Sequence, residues 1–438
     1  MNDWELATLE ALCEEGGGFV RTGPFGSQLH KRDYVDDPAA TPVVMPKDMV
    51  NGRIDQESVA RIDDDTVERL AHHLVEDGDV ILSRRGDVGR SVSIREADIP
   101  ALVGTGSIRI HLGSPKRMQP RYFAYFMRSR QVIDFLEGHA VGATMPNLNA
   151  GIVNSLPVPI PPADHQARAA EALGSIDDLI DNNRRRIEML EKMAQIIYQE
   201  WFVHFRYPGH EDATFVDSPL GPIPEGWDVH PLSELATVVR GRSYRKYELA
   251  EEGGLPFVNL KCMMRGGGFR LGGLKRYTGD YKPAQLVYHG DIVLAVTDLT
   301  QGREILAQAT LVPRLAEEAG VISLDVARIL PKGPEDRLSL FFALRCSDFA
   351  ERVKEYANGS TVLHLSPKFV EENELVWPQE AVRGRFGDLV EPMVTSLDEL
   401  RESADRLAAI RDLLLPKLVT GEIDMSEQEL NAVVEGAR

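Results

Sequence analysis

The strongest constraint on the fold of this chain is that its sequence contains one pattern twice. Trp4-Glu5-Leu6 opens the first copy and Trp227-Asp228-Val229 opens the second. The run Gly78-Asp79-Val80-Ile81-Leu82 returns as Gly290-Asp291-Ile292-Val293-Leu294. Such a duplication predicts two similar domains that are related by a rotation. Two equivalent surfaces suit a two-part ligand or a pair of identical partners.

Length and composition fit a globular protein of two domains. The chain has 438 residues, of which 43% are hydrophobic and 27% are charged, which leaves room for two full cores. Its cysteines, Cys13, Cys262 and Cys346, are far apart and form no CxxC pattern, so we expect reduced thiols. Because neither a secretory signal nor an apolar run of roughly 18 residues occurs, we expect a cytoplasmic protein.

The charge is distributed unevenly. The net charge is −19, yet residues 84–130 hold ten Lys or Arg against three Asp or Glu, and residues 240–282 hold ten against four. Attraction of phosphate depends on local potential rather than on total charge. A basic block in each repeat is therefore compatible with DNA held at two places, although charge alone fits a solvated surface equally well.

The order of β-prone, helical and proline-rich stretches predicts an α+β protein in which each domain is followed by a long helix. The predicted segments are a first domain at 1–162, a spacer helix at 163–206, a linker at 207–226, a second domain at 227–379, a second spacer helix at 380–421 and a C-terminal tail at 422–438.

Within the first domain, β-prone runs at 41–45, 79–83 and 107–112 are expected to form strands, the last of them half-buried because apolar and polar residues alternate. Residues 121–136 read as one amphipathic helix, and 338–356 as its counterpart in the second domain. The proline-rich segment 156–162 is expected to stop regular structure, since proline cannot donate to a ladder.

Both long helices carry heptad seams, which predicts an antiparallel coiled coil of roughly 50–60 Å. The seam residues are Ile176, Ile180, Asn183, Ile187, Leu190, Ala194 and Ile197 in the first helix and Met393, Leu397, Leu400, Ala404, Leu407, Arg411 and Leu414 in the second. Asn183 is expected to fix the register. The alternative is that each helix lies on its own domain.

Residues beside the seams complete the helix predictions. The solvated face of the first helix is expected to carry Asp177, Asp178, Asp181, Arg184, Arg185 and Glu188. Pro416 and Gly421 are expected to end the second helix.

Motifs of catalysis are missing from the sequence. It has no Asn/Asp-Pro-Pro-aromatic tetrapeptide of an adenine methyltransferase and no Gly-x-x-x-x-Gly-Lys-Ser/Thr phosphate loop. His72 and His73 lie near Glu76 and Asp77, but adjacent residues point in different directions and no second cluster completes a metal site. The sequence predicts a binding subunit without an active site, a metal or a bound cofactor of its own.

Several stretches resemble the specificity subunit of type I restriction–modification systems. The stretches in the first half are Gly23-Pro24-Phe25-Gly26-Ser27-Gln28-Leu29, Pro42 to Asp48, Gly78 to Arg90, Gly142 to Asn149, and Leu156 to Pro162 followed by His165-Gln166. Those in the second half are Ile223-Pro224-Glu225-Gly226-Trp227 and Leu415 to Ile423. The resemblance covers essentially the whole chain, and the stretches follow one another in the order typical of that family.

The resemblance implies a non-catalytic subunit that reads a bipartite, asymmetric DNA site with two target recognition domains. Its partners would be double-stranded DNA, two copies of the modification subunit and a motor-nuclease subunit. S-adenosylmethionine would be bound by the modification subunits, and ATP and Mg by the motor-nuclease. Alternatives are a methylation-only system, a scaffold that pairs two partners without reading DNA, and a stand-alone nuclease or methyltransferase.

Basic residues in both repeats are the candidate DNA contacts, some of them to guanine edges rather than phosphates. They are Lys31, Arg32, Lys47, Arg84, Arg85 and Arg90 in the first half and Arg240, Arg242, Arg245, Lys246, Lys261, Arg265 and Arg270 in the second. The two halves differ where Ala295-Val296-Thr297 replaces Ser83-Arg84-Arg85. We therefore expect them to read different base sequences.

Overall fold

The computed structural model describes residues 4–50, 52–56, 58–114, 117–142, 146–359, 362–423 and 425. The chain divides into two compact units. Unit 1 contains Met1–Asp181 and Asp405–Arg438, and unit 2 contains Asn182–Ala404. Each unit therefore combines one copy of the repeat with half of each long helix.

Unit 1 is a mixed α and β structure. Its elements, up to the first long helix, are β1 (Glu5–Thr8), α1 (Leu9–Gly16), β2 (Gly17–Thr22), β3 (Tyr34–Val35), β4 (Thr41–Val44), β5 (Met49–Val50), β6 (Arg53–Ile54), β7 (Ala60–Ile62), α2 (Asp64–Arg69), β8 (Val80–Ser83), β9 (Ser91–Ser93), β10 (Leu102–Val103), β11 (Ser107–Gly113), α3 (Pro120–Phe126), α4 (Arg130–His139), α5 (Ala150–Asn154), β12 (Pro157–Ile160) and α6 (Ala163–Tyr198).

Two four-stranded sheets form the body of unit 1, with strand orders β2-β11-β8-β9 and β10-β4-β7-β3. The first sheet is antiparallel, and β11 lies between β2 and β8. In the second sheet, β10 and β4 are parallel. The main core lies where the first sheet packs against α1, α3, α4 and the paired long helices.

Unit 2 repeats this plan. Its elements are β13 (Phe215–Val216), β14 (Ile223–Pro224), β15 (Asp228–Pro231), α7 (Leu232–Leu235), β16 (Ala236–Arg240), β17 (Leu249–Ala250), β18 (Leu255–Val258), β19 (Lys275–Tyr277), β20 (Leu286–Tyr288), β21 (Ile292–Ala295), β22 (Thr297–Asp298), β23 (Ala309–Leu311), β24 (Ala319–Ile322), β25 (Val326–Pro331), α8 (Arg337–Cys346), α9 (Phe349–Lys354), β26 (Leu363–His364), α10 (Pro367–Glu372), β27 (Glu374–Trp377) and α11 (Glu380–Thr420).

The sheets of unit 2 correspond to those of unit 1. The order β16-β25-β21-β23 matches β2-β11-β8-β9, and the five-stranded sheet β17-β19-β18-β24-β20 matches the second sheet with one strand added. The predicted duplication is thus present in the fold as well as in the sequence, and the predicted α+β fold class is confirmed.

Two predictions about local structure are wrong. The expected helix at 121–136 is broken into α3 and α4, and its counterpart at 338–356 is broken into α8 and α9. The proline-rich segment does not stop regular structure, because Pro157–Ile160 forms β12 and pairs with β1. A two-stranded sheet tolerates prolines, since both of its strands are edges and an N–H on the outer side has no ladder partner.

The segment 207–226, predicted as a linker, contains structure of its own. Strands β13 and β14 pair as a short hairpin. Phe205 and Tyr207 pack against Trp227, with ring centroids 5.5 Å and 5.2 Å away. Aromatic packing of this kind attaches the segment to the core of unit 2.

The repeated Gly-Asp motif is a structural turn that holds a buried arginine. Asp79 accepts from Nε of Arg109 at 2.6 Å and from the backbone N–H of Glu76 at 2.8 Å. Arg109 is 5% exposed, so the prediction of a half-buried β11 is wrong at this residue. The polar position of the alternating pattern points into the protein and is neutralised there rather than solvated.

The same ion pair recurs in unit 2. Asp291 contacts Arg328 at 3.0 Å and accepts from the backbone N–H of Tyr288 at 2.7 Å. The glycine before each aspartate has a left-handed φ, 84° at Gly78 and 81° at Gly290, which explains why the motif requires glycine there.

In unit 1, the first half of α6 packs antiparallel to the last part of α11. Nε2 of His165 donates to the carbonyl oxygen of Leu418 at 2.8 Å, whereas Asp177, further along α6, contacts Arg411, earlier in α11, at 3.0 Å. Leu418 and neighbouring apolar residues of α11 are part of the unit 1 core. This burial carries the helix past Pro416, so only Gly421, with φ 73°, ends it as predicted.

In unit 2, the second half of α6 packs antiparallel to the first part of α11. Nδ2 of Asn183 donates to Oγ of Ser403 at 3.1 Å, and Glu191 forms an ion pair with Arg401. All fourteen predicted seam residues are buried or half-buried, which confirms the predicted helix pairing. The role of Asn183 in fixing the register stays a prediction.

Asp177 was predicted to lie on the solvated face of α6, and this prediction is wrong. The side chain is buried and contacts Tyr125, Arg128 and Arg411. Burial alone would raise the pKa of Asp177, but Arg128, Arg411 and Tyr125 outweigh burial and hold this pKa below its ordinary value of 3.8.

This depressed pKa predicts a pH dependence. A carboxylate with a lowered folded-state pKa stabilises the fold fully above its unfolded value and loses that contribution as the pH falls through its folded value. The difference in unfolding free energy between the wild type and Asp177→Asn should be constant above about pH 5 and should shrink below it. Urea unfolding at a series of pH values measures this, and a constant difference down to pH 2.5 would contradict it.

The structure describes the three cysteines and the helices to which the predictions about thiols and membranes refer. Cys13 and Cys262 are buried, and burial raises the pKa of each thiol to about 11. Cys346 is half-buried, with its pKa raised to about 11 for the same reason. None of the helices among the described residues has the length and apolar character that a membrane span requires.

Candidate DNA interface

Four loops of unit 1 emerge at one end of its sheets. Strands β2 and β8 end, and β11 begins, at the same end of the sheet, because β11 is antiparallel to both. The end of β4 joins them, since Val44 accepts from the Ser107 hydroxyl and from the backbone N–H of Gly104. Loops 23–29, 45–48, 84–90 and 104–106 therefore lie side by side.

Hydrogen bonds connect these four loops. The backbone N–H of Arg84 donates to Gly106 at 2.9 Å, and the Thr105 hydroxyl donates to the carbonyl of Pro24 at 3.0 Å. Gly23 is required here, because a Cβ at this position would lie 2.2 Å from the carbonyl oxygen of Gly104. The loops thus form one surface that the strands hold in place.

Four of the six predicted basic residues of the first half lie on this surface. Arg84 is half-buried, and its Nε donates to Oδ1 of Asn147 at 3.3 Å. Burial, and then the charge of Arg85, lower the pKa of Arg84. Arg85 is exposed beside it. Arg90 is paired with Asp87, and Lys47 donates to the carbonyl of Ser58 at 3.0 Å, so these two side chains have local partners already.

Lys31 and Arg32 lie apart from that group. They belong to a 3-10 turn, Lys31–Asp33, that follows the 23–29 loop. Asp33 of this turn contacts Arg69 at 3.1 Å. Arg32 is 84% exposed, so this turn presents charge to solvent at a second position of unit 1.

The equivalent loops of unit 2 also lie side by side. Loop 241–248 follows β16, and the backbone N–H of Arg242 donates to the carbonyl of Ile322 at the end of β24. Arg265, in the loop after β18, contacts Glu304, in the loop after β22, at 2.8 Å. The second candidate surface therefore lies at the end of the sheet where β16 and β21 end and β25 begins.

The seven predicted basic residues of the second half lie on these loops or at their ends. Arg240 ends β16, and Arg245 lies beside Tyr247, to whose hydroxyl it donates at 3.1 Å. The exposed members of the set are Arg240, Arg245, Lys246, Lys261, Arg265 and Arg270. Arg242 is half-buried, and a hydrogen bond with Tyr277 raises its pKa.

The two surfaces differ at the position of the arginine pair. The backbone N–H of Leu148 donates to Arg84, and that of Leu365 donates to Val296, which makes Val296 the structural equivalent of Arg84. After it, unit 2 has a turn built around buried Asp298, which accepts from the backbone N–H groups of Thr300 and Ile305. The same framework thus presents an arginine pair in unit 1 and an acid-centred turn in unit 2.

Asn147 also belongs to the candidate interface, although the sequence analysis assigned it no role there. It fixes Arg84 through its side chain, and its backbone forms a bridge with Arg85. Its position within Gly142 to Asn149 was the available signal. Residues 143–145 of that stretch lie outside the described residues.

The described residues contain no group of three or more His, Cys, Asp or Glu side chains arranged to hold a metal ion. The rings of His72 and His73 lie 4.1 Å apart. Burial of His73, together with the charge of His72, lowers its pKa to about 4. His73 is buried at this turn, whereas His72 is exposed.

The chain is similar to a known protein family and to individual members of it. Residues 1–192 match the family described as the type I restriction modification DNA specificity domain. The type I restriction enzyme MjaIX specificity subunit of Methanocaldococcus jannaschii is 24% identical, over 97% of this chain and 94% of its own length. The HindI specificity subunit of Haemophilus influenzae is 19% identical, over 81% of this chain and 88% of its own length.

A solved structure has the same fold. The S subunit of the type I restriction–modification system from M. genitalium superposes with a TM-score of 0.58 at 17% identity, over 95% of this chain and 97% of that one. The comparisons confirm the predicted resemblance to type I restriction–modification specificity subunits.

Proposed function

We propose that this chain, as a type I restriction–modification specificity subunit, reads a bipartite and asymmetric DNA site, with one half-site for each unit. The observation that carries the proposal is the repeated arrangement, in both units, of exposed basic side chains on loops at one end of the sheets. Arginine and lysine on such loops can contact phosphates and the major-groove edges of guanine.

The difference between the two surfaces supports an asymmetric site. Arg84 and Arg85 in unit 1 correspond to Val296 and Thr297 in unit 2, and neither replacement can donate as an arginine does. Direct readout depends on which donors and acceptors reach the base edges. The two half-sites are therefore expected to have different sequences.

The proposed partners are two modification subunits and a motor-nuclease. In this proposal the former bind S-adenosylmethionine and methylate adenine, and the latter uses ATP and Mg. An exposed apolar stripe supports a protein partner: Met189, Met193 and Ile196 lie four and three positions apart on α6, and each is about half exposed. A methylation-only system would use the same chain without the motor-nuclease.

Selection from a library of random DNA duplexes tests the DNA part of the proposal. The full chain should enrich two short sequence blocks separated by an unspecified gap of fixed length. Lys261→Glu with Arg270→Glu should weaken the information in one block and leave the other intact, because both residues belong to unit 2. Absence of any enriched block would favour a scaffold that pairs partners without reading DNA.

A further inference from the structure

In unit 1, the paired helices meet the domain at a buried cluster of polar side chains, here called junction 1: Tyr125, Asp177 and Arg411. Nη1 of Arg411 lies 3.0 Å from Oδ1 of Asp177, and the Tyr125 hydroxyl donates to Oδ2 of Asp177 at 2.9 Å. All three residues are less than 9% exposed. Arg128 adds a contact to Asp177 at 3.3 Å.

The equivalent positions of unit 2, here called junction 2, are Phe342, Val394 and Ala194. Phe342 and Val394 lie 217 positions after Tyr125 and Asp177, and Ala194 lies 217 positions before Arg411. They are buried in one hydrophobic cluster. The small cavity that they line is also bordered by Glu191, Arg345, Asp398 and Arg401. One geometry is thus filled by an ion pair in unit 1 and by apolar side chains in unit 2.

Duplication creates an ambiguity that these junctions can resolve. The first half of α6 packs on the end of α11. Because of the duplication, the second half of α6 is equivalent to the end of α11, so the first half of α6 could instead pack on the second half of α6 from another copy of the chain. Such an α6–α6 pair would place Asp177 opposite Ala194. The corresponding α11–α11 pair would place Arg411 opposite Val394. Each exchange leaves a buried charge without its partner.

We infer that the Asp177–Arg411 pair selects the helix partner, so that α6 pairs with α11 of the same chain and does not exchange with a second copy. Net stability is not a sufficient reason for the pair, because apolar residues fill the same position in junction 2. Replacing a buried ion pair by well-packed apolar residues is often neutral or stabilising. Discrimination against a competing arrangement is a use that an apolar junction cannot provide.

The inference does not rest on DNA binding, and two variants of the full chain test it. Tyr125→Phe with Asp177→Val and Arg411→Ala makes junction 1 apolar like junction 2. Ala194→Arg with Val394→Asp and Phe342→Tyr makes junction 2 polar like junction 1. In both variants the two junctions become alike, apolar in the first variant and polar in the second, so an exchanged helix pair no longer buries an unpaired charge. If one variant does not fold, the other still tests the inference.

The measurement is the dimerisation constant after refolding at a series of protein concentrations, obtained by size exclusion with light scattering. Each variant should dimerise at least about 100-fold more strongly than the wild type, because breaking a buried pair typically costs more than this factor. When two differently labelled preparations are unfolded and refolded as a mixture, the dimers should contain both labels. When the preparations are refolded separately and then mixed, each dimer should contain only one label. Wild-type-like monomers in both variants, or mixed dimers formed without unfolding, would overturn the inference.

Discussion

Reversing the charges of Arg84 and Arg85 should lower the affinity of the full chain for its selected DNA by roughly 100-fold. The reason is that both arginines lie on the loop surface of unit 1, where glutamate would repel phosphate instead of displacing its counterions. The slope of log affinity against log salt concentration should also become shallower, by about two units. Fluorescence anisotropy with a labelled duplex at several salt concentrations measures both effects.

Two further variants make this result interpretable. Arg85→Glu alone changes only an exposed side chain, whereas Arg84 is half-buried against Asn147 and its replacement can disturb the loop. Arg121→Glu carries the same change in net charge as Arg85→Glu but away from the loop surface, since α3, which contains Arg121, begins beside Gly78, at the opposite end of β8. If this control lost as much affinity and salt dependence as the loop variant, the arginine pair would have no special role.

The sequence predicted those parts of the fold that depend on local pattern. The heptad seams and the β-prone run at 79–83 correspond to α6, α11 and β8, because burial of one helix face or one strand follows from periodicity alone. Breaks such as that between α3 and α4 were not predicted. Both repeats have a break in this segment, at 127–129 and at 347–348, so it belongs to the shared tertiary packing rather than to helix propensity.

Charged residues in the interior account for the errors at single residues. Arg109 occupies a polar position in an alternating strand, and Asp177 lies on the predicted solvated face of a heptad helix. Each is buried because a partner distant in sequence neutralises it, Asp79 for Arg109 and Arg411 for Asp177. Periodicity describes the element by itself and contains no information about such partners.

The candidate interface could be predicted as a set of residue types but not as a surface. Basic blocks and the loss of the arginine pair in the second copy were visible in the sequence. That loops 23–29, 45–48, 84–90 and 104–106 meet depends on strand order, which no local motif specifies. Comparison of the two repeats was the most informative signal, because shared positions carry the fold and divergent ones distinguish the two surfaces.

Asp79→Ala should destabilise unit 1 by about 3–5 kcal/mol, because it leaves Arg109 buried without its main partner. Asp291→Ala should cost unit 2 less, since Asp291 is 19% exposed whereas Asp79 is 1% exposed. Hydrogen exchange read by mass spectrometry assigns each loss to its unit: protection should fall in β8 and β11 for the first variant, and in β21 and β25 for the second.

Asp77→Ala is the matched control, because Asp77 is exposed two residues away and its loss should change stability by no more than about 0.5 kcal/mol. Asp79→Leu combined with Arg109→Met should recover much of the stability, since removing both charges leaves neither of them buried and unpaired. If Asp79→Ala were as mild as Asp77→Ala, the repeated Gly-Asp motif would not be a structural turn. Its recurrence in both copies would then have to come from a function that the two surfaces share.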